Sequence, residues 1–310
     1  MKRAYHHQVP SPGVRSAVAH DPDQPALVTS RQPGAVALAL LRAGHLEPAL
    51  TVTGLTTALA ATAGRGAIGT LLVGCAVLTG QLSVGWCNDR LDRERDRAAG
   101  RRDKPLAIGD LDGRTVSLAA ATALALCVPL SLASGWSAGA AHLAGVAAAW
   151  GYNLGVKRTA ASWLPYALGF GLLPAFVTLG LPGHPWPPAW AVAAGALLGV
   201  GAHVTNVLPD IEDDLRAGVR GLPQRLGRRR ARALAPVPLL GACAVLVFGP
   251  PGPVGPAGWA ALALTGALCV AVVRPGGGAG DVGSRRPFLA TLAMAAIAVA
   301  LLLLRGRALA

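Results

Sequence analysis

Two acidic runs carry residue types at spacings that can do chemistry. The first reads Asn88-Asp89-Arg90-Leu91-Asp92-Arg93-Glu94-Arg95-Asp96, the second Asn206-Val207-Leu208-Pro209-Asp210-Ile211-Glu212-Asp213-Asp214. On a helix advancing about 100° per residue, Asn88, Asp89, Asp92 and Asp96 share roughly 100° of arc, and Glu94 points elsewhere. In the second run Asn206, Asp210 and Asp214 recur every fourth residue and share about 80° of arc. Carboxylates gathered on one face repel each other unless positive charge sits between them. Hard oxygen donors of this kind suit Mg2+, which commonly combines carboxylates with substrate phosphate oxygens. Read alone, either run could be a solvated face whose Asp residues pair with the arginines around them. Two runs of one design, each led by Asn and each closing an apolar stretch, argue against that coincidence.

The stretches that must position these runs are apolar. Of 310 residues, 53% are hydrophobic and 14% charged, and the mean hydropathy is +0.47. A soluble domain averages about 25% charged residues, so most of this surface is not built for water. Nine stretches are predicted to span as helices: 44–63, 67–88, 114–133, 137–155, 161–181, 188–209, 231–249, 254–273 and 288–304. Each is close to the about 17–25 residues that a spanning helix needs. The expected fold is all-α, a polytopic membrane bundle of about nine helices around a central cavity. Asn206 then lies inside the membrane, where a polar side chain needs a partner or a function.

Charge sets the expected topology. With the amino terminus inside, 25 of the 28 Lys and Arg residues fall on one side, leaving only Arg65, Arg305 and Arg307 opposite. This asymmetry places the amino terminus and both acidic runs in the cytoplasm of a cell-membrane protein. Topology also accounts for the net charge of +13, so nucleic acid is not an expected partner. The five cysteines lie in or beside apolar segments without metal-ligand spacing and read as small buried hydrophobes.

Residues 1–33 lack the apolar core of a signal peptide and are expected to be a disordered cytoplasmic tail ahead of a membrane domain over 34–310. Gly34 to Arg42 is expected to form a short interfacial helix. The Gly-rich run from Pro275 to Gly283 reads as a flexible loop. Pro165 and Pro174 read as kinks, Pro209 as a kink that reorients the second run, and Gly195 with Gly199 as a small-residue packing pair.

At this point the residues resemble a known family. Asn88-Asp-x-x-Asp92-x-x-x-Asp96 followed by Arg102-Asp-Lys-Pro105 is similar to the first signature of the UbiA superfamily of intramembrane prenyltransferases. Asp210-x-x-x-Asp214-x-x-x-Gly218-x-x-x-Leu222-Pro223 is similar to its second, although Gly221 stands where many members carry Thr. The segment from Tyr152 to Lys157-Arg158 resembles the Tyr…Lys-Arg patch often found after the fourth helix. The likeness covers about 44–304.

The resemblance implies two Mg2+ ions, held by Asp89, Asp92 and Asp96 on one side and Asp210 and Asp214 on the other, bridging an isoprenyl diphosphate. Asn88 and Asn206 would complete the shells or hydrogen-bond the diphosphate. Arg102, Lys104, Lys157 and Arg158 would bind its remaining charge, with Lys104, Lys157 and Arg158 assisting departure of pyrophosphate. The allylic cation would be attacked by a lipophilic or aromatic acceptor, such as a quinone precursor, with the prenyl tail in an apolar channel. A membrane terpene cyclase on the same scaffold would need no second substrate. A divalent-cation transporter would place acids at mid-membrane, whereas these end the spans. A CDP-alcohol phosphotransferase would carry a DGxxAR segment, which is missing here.

Other features invite plainer readings. Arg228-Arg229-Arg230 reads as an anchor touching anionic lipid, and His142 and His203 as packed polar residues. His45, beside Arg42, could meet an acceptor. The sequence leaves the acceptor, the prenyl length and the oligomeric state open.

Overall fold

A computed structural model describes residues 33–273 and 286–309. The expectations for the tail and for the Gly-rich run lie outside the described residues. Among the described residues thirteen α-helices follow in order: α1 (Pro33–Ala43), α2 (Leu46–Thr62), α3 (Gly66–Ala98), α4 (Gly113–Leu132), α5 (Trp136–Leu154), α6 (Leu164–Gly171), α7 (Leu173–Thr178), α8 (Ala189–Val207), α9 (Ile211–Arg216), α10 (Leu222–Leu234), α11 (Pro236–Phe248), α12 (Pro256–Val273) and α13 (Arg286–Leu304). No strand occurs among the described residues, and each of the nine apolar stretches is helical there.

Four runs among the described residues are long and apolar enough to cross a membrane: α3, α4, Ala189–Arg216 and α12. Two bent pairs raise that number to six: α1 with α2, bent by 70°, and α10 with α11, bent by 47°. Large apolar side chains such as Leu71, Leu118, Leu126, Leu264 and Leu292 point outward. A girdle of that kind suits lipid, since backbone groups inside helices are already hydrogen-bonded.

The core lies where α2, α3, α7, α8, α11 and α13 meet, around Leu59, Val77, Phe176, Leu198, Leu246 and Met294. Close approach depends on missing side chains. A Cβ on Gly195 would meet the Phe170 carbonyl oxygen at 2.6 Å, and one on Gly199 would collide with the Tyr166 carbonyl oxygen. The small-residue pair therefore presses the α8 backbone against α6, as its spacing suggested.

Proline sets the breaks. Pro174 opens α7 and ends α6 at Gly171, splitting the fifth stretch as expected, whereas Pro165 sits in the first turn of α6, where its missing N–H costs nothing. Pro209 lies in a 3-10 turn over Leu208–Asp210 that separates α8 from α9. An uninterrupted α-helix through the second acidic run does not form.

Candidate active site

Helix α3 explains the first cluster. Its 33 residues span about 50 Å, well beyond the about 30 Å of hydrocarbon, so its last turns extend past the apolar layer. Those turns stay helical, and the arc argument holds: Asp89, Asp92 and Asp96 are buried at 1%, 4% and 5%, while Glu94 is exposed. Asn88 is half-buried on the same face.

Buried carboxylates require countercharge. Lys104 Nζ, from the loop after α3, donates to Asp89 Oδ1 at 2.7 Å and lies 2.7 Å from His45 Nε2. His45 Nε2 itself lies 2.8 Å from Asp89 Oδ1. His45 holds a left-handed conformation (φ 49°, ψ 54°) at the turn between α1 and α2, unusual for a non-glycine residue. Lys157, on the 3-10 turn Val156–Arg158 after α5, donates to Asp92 Oδ1 at 2.6 Å and stands 3.5 Å from Asn88 Oδ1. Burial lowers the Lys157 pKa from its ordinary value, with Asp92 opposing.

The second cluster comes to the same mouth. Asp214 is 13% exposed, and its Oδ2 accepts from Gln224 Nε2 at 2.8 Å. Arg95 spans the gap: Nη2 lies 2.9 Å from Asp92 Oδ2 and 3.7 Å from Asp96 Oδ1, and Nη1 lies 3.3 Å from Asp214 Oδ1. Asp210 is 47% exposed and lies 3.6 Å from Arg101, whose bidentate bond holds the Asp103 carboxyl down at about 2. Glu212 and Asp213 turn outward to Arg228 and Arg216. Asn206 is exposed at the end of α8, and its side chain meets the Tyr166 hydroxyl.

Beneath the mouth, the rings of Tyr152, Tyr166 and His203 pack with centroids 4.9–5.7 Å apart. His203 Nε2 lies 3.0 Å from Ser162 Oγ, which also accepts from the Leu222 amide at 2.9 Å. His142 lies 2.8 Å from Ser131 Oγ and stacks on Phe176. Both histidines are packed polar residues, as read from the sequence.

The structure thus draws together Asn88, Asp89, Asp92, Asp96, Lys104, Lys157 and Asp214, and leaves Asp210 half-exposed beside Arg101. Arg102 and Arg158 are exposed at the rim. Arg95, Arg101 and Gln224 were not singled out beforehand. The i,i+3 spacing of Asp92 and Arg95 was a usable signal, whereas nothing in the sequence marked Gln224.

Fit to a divalent metal can be judged from the donors. Asp89 Oδ2 is buried without a hydrogen-bond partner among the described residues, an oxygen left for a cation. Among the described residues no group of three or more His, Cys, Asp and Glu side chains is arranged to hold a metal ion by protein donors alone. Mg2+ commonly combines one or two carboxylates with substrate phosphate oxygens and water.

Fold and site together define a polytopic membrane protein with an acidic mouth at one end of its bundle. The family model described as the UbiA prenyltransferase family matches residues 49–276, and the chain belongs to that family. Solved structures agree on the fold. A UbiA homologue from Archaeoglobus fulgidus bound to GPP and Mg2+ superposes with a TM-score of 0.63 at 18% identity, covering 87% of this chain and 100% of its own. The same homologue bound to DMAPP and Mg2+ gives 0.62 at 18% identity, covering 85% and 99%. A structure of digeranylgeranylglyceryl phosphate synthase gives 0.60 at 17% identity, covering 88% and 99%. No curated protein sequence matches the chain.

Proposed function

We propose that the protein is a magnesium-dependent intramembrane prenyltransferase, moving an isoprenyl group from its diphosphate to a lipophilic acceptor, aromatic or quinone-precursor in class. The observation that carries this reading is the meeting of two carboxylate clusters, from α3 and from the end of α8 with α9, over an apolar bundle, with Asp89 Oδ2 unpaired. Solved structures of the same fold are described with GPP or DMAPP and Mg2+, which supports the substrate class. The membrane domain is residues 34–310, with both acidic runs on the cytoplasmic side of the cell membrane.

Asp89, Asp92 and Asp96, with Asp210 and Asp214, would hold two Mg2+ ions, and Asn88 and Asn206 would support them. Bound there, the metal supplies Lewis-acid stabilisation of charge developing on phosphate oxygens. Lys104 and Lys157 lie at the same mouth and hold the diphosphate as its leaving oxygen gains charge. Arg102 and Arg158 guide the anion from the rim. The prenyl chain enters the bundle, where each buried CH2 contributes roughly 0.8 kcal/mol. A narrow apolar crevice within the bundle is lined in part by Leu59, Phe170, Pro174, Leu198 and Leu302.

The test incubates purified protein with isoprenyl diphosphates of several lengths and pooled acceptors, identifying products by mass. Acceptor-plus-prenyl adducts are expected. Cyclised hydrocarbon from the diphosphate alone would replace the transferase reading with the cyclase, and unchanged diphosphate under every condition would overturn both.

A further inference from the structure

One side chain touches both acidic clusters, and neither family signature calls on it. Arg95 reaches Asp92 and Asp96 on its own helix and Asp214 on α9. Its partners have little solvent to screen them: Asp92 and Asp96 are buried and Asp214 nearly so. Asp92 is shared, with Lys157 on Oδ1 and Arg95 on Oδ2. Asp214 is likewise divided, with Gln224 on Oδ2 and Arg95 on Oδ1. Both carboxylates therefore keep a holder when the guanidinium leaves. The Arg95 side chain is 30% exposed, so it lies at the open edge of the cluster and has room to swing.

A guanidinium cannot leave by losing its proton, because it stays charged at any working pH. A divalent ion that takes these carboxylates must displace it bodily, and the displaced cation needs a new anion. A diphosphate at the same mouth supplies one, and a planar fork of N–H donors matches phosphate oxygens two at a time. Metal without diphosphate strands Arg95, and diphosphate without metal leaves Arg95 clasped.

We propose that Arg95 couples metal binding to diphosphate binding, clasping Asp92, Asp96 and Asp214 in the ligand-free protein and passing to the diphosphate when metal takes those carboxylates. This rests on the metal-dependent reading above and adds a specificity device to it: each ligand binds more tightly when the other is present. Coupling of this sort is reciprocal and typically amounts to about 5–150-fold in affinity.

The experiment measures Mn2+ binding to the full-length protein in detergent by equilibrium dialysis. It is run with and without inorganic pyrophosphate, equal on both sides so that chelation in solution cancels. Wild type is expected to bind Mn2+ at least about tenfold tighter with pyrophosphate. Arg95→Gln should bind Mn2+ more tightly than wild type without pyrophosphate, and its ratio should fall at least about fivefold. Arg95→Lys, which keeps the charge, should retain most of the ratio, and Arg95→Met serves if Gln does not give a monodisperse protein. A wild-type ratio preserved in Arg95→Gln or Arg95→Met overturns the coupling role. Absence of Mn2+ binding to wild type under either condition overturns instead the metal reading beneath it.

Discussion

Lys157 Nζ stands 2.6 Å from Asp92 Oδ1, a buried contact that fastens the turn after α5 to the end of α3. Both side chains are nearly sealed from solvent, at 5% and 6% exposure. Removing one member of a buried pair costs about 3–5 kcal/mol, toward the low end here because Arg95 stays on Asp92 Oδ2, whereas neutralising both is far less damaging. Lys157→Met is therefore expected to lower unfolding stability by about 3 kcal/mol. Adding Asp92→Asn should recover most of that stability and none of the activity. Denaturant titration in detergent reads the first effect and product formation the second; a single variant as stable as wild type would show that the pair carries no weight.

Gly221 joins the second motif to this turn. A Cβ there would meet the Lys157 carbonyl oxygen at 2.7 Å, Gln224 Oε1 at 2.7 Å and Ser162 Oγ at 2.8 Å. The departure from Thr at this position is thus matched by neighbours that fill the vacated space. Gly221→Ala should destabilise by about 1–3 kcal/mol, the usual range for overpacking. Gly221→Thr should be worse, and Gly221→Thr with Ser162→Gly partly relieved. Thermal unfolding midpoints in one detergent check the order, and an undisturbed Gly221→Thr would contradict it.

How far the site was legible follows from backbone continuity. Around Asp89, Asp92 and Asp96 a single helix runs unbroken to Ala98, so a periodicity argument places all three inward and Glu94 outward, as observed. Around Asp210 the 3-10 turn at Pro209 interrupts the α-helical register. Asp214 still turns inward because Ala189–Arg216 remains one helical run of 28 residues, but Asp210 is left half-exposed. The contact of Arg95 with Asp214 joins elements far apart in the chain, and that of Gln224 with Asp214 crosses the turn between α9 and α10, so helical periodicity encodes neither. The nine apolar stretches were visible as helices, whereas breaks at Gly171 and Ala235 follow from how neighbouring prolines are used.

Metal removal should abolish turnover. Asp89 Oδ2 has no hydrogen-bond partner among the described residues, and carboxylates facing a diphosphate repel it without an intervening cation. Excess EDTA is expected to stop product formation, and Mg2+ or Mn2+ to restore it. Full turnover in EDTA would remove the metal from the mechanism.

Topology can be read with single cysteines in a variant whose five native cysteines are replaced. Ala99 and Ala217 are exposed beside the two clusters, and Ser137 is exposed at the start of α5 at the opposite end of the bundle. Cysteines at Ala99 and Ala217 should react with an impermeant maleimide only from the cytoplasmic side, and a cysteine at Ser137 only from outside. Reaction of Ala99→Cys from outside would invert the topology.

The second cluster gives the sharpest separation between working and idle carboxylates. Asp214 is 13% exposed, touches Arg95 and Gln224, and faces the first motif. Glu212 is 55% exposed and pairs with Arg228, and Asp213 is 47% exposed and pairs with Arg216. All three lie within three consecutive residues of α9, so overall charge and local helix propensity change almost identically when each is neutralised. Asp214→Asn should lower kcat at least about 100-fold, as when a group that organises transition-state charge is lost. Asp210→Asn is expected to fall in the same class because Asp210 opens the second family motif one helical turn before Asp214, although its side chain is 47% exposed beside Arg101. Glu212→Gln and Asp213→Asn should each cost less than about fivefold, because exposed ion pairs contribute little. The measurement is initial-rate kinetics at saturating diphosphate with protein levels matched in the membrane. A Glu212→Gln variant as impaired as Asp214→Asn would mean that α9 presents a different face to the substrate, and the second metal-binding set would have to be reassigned.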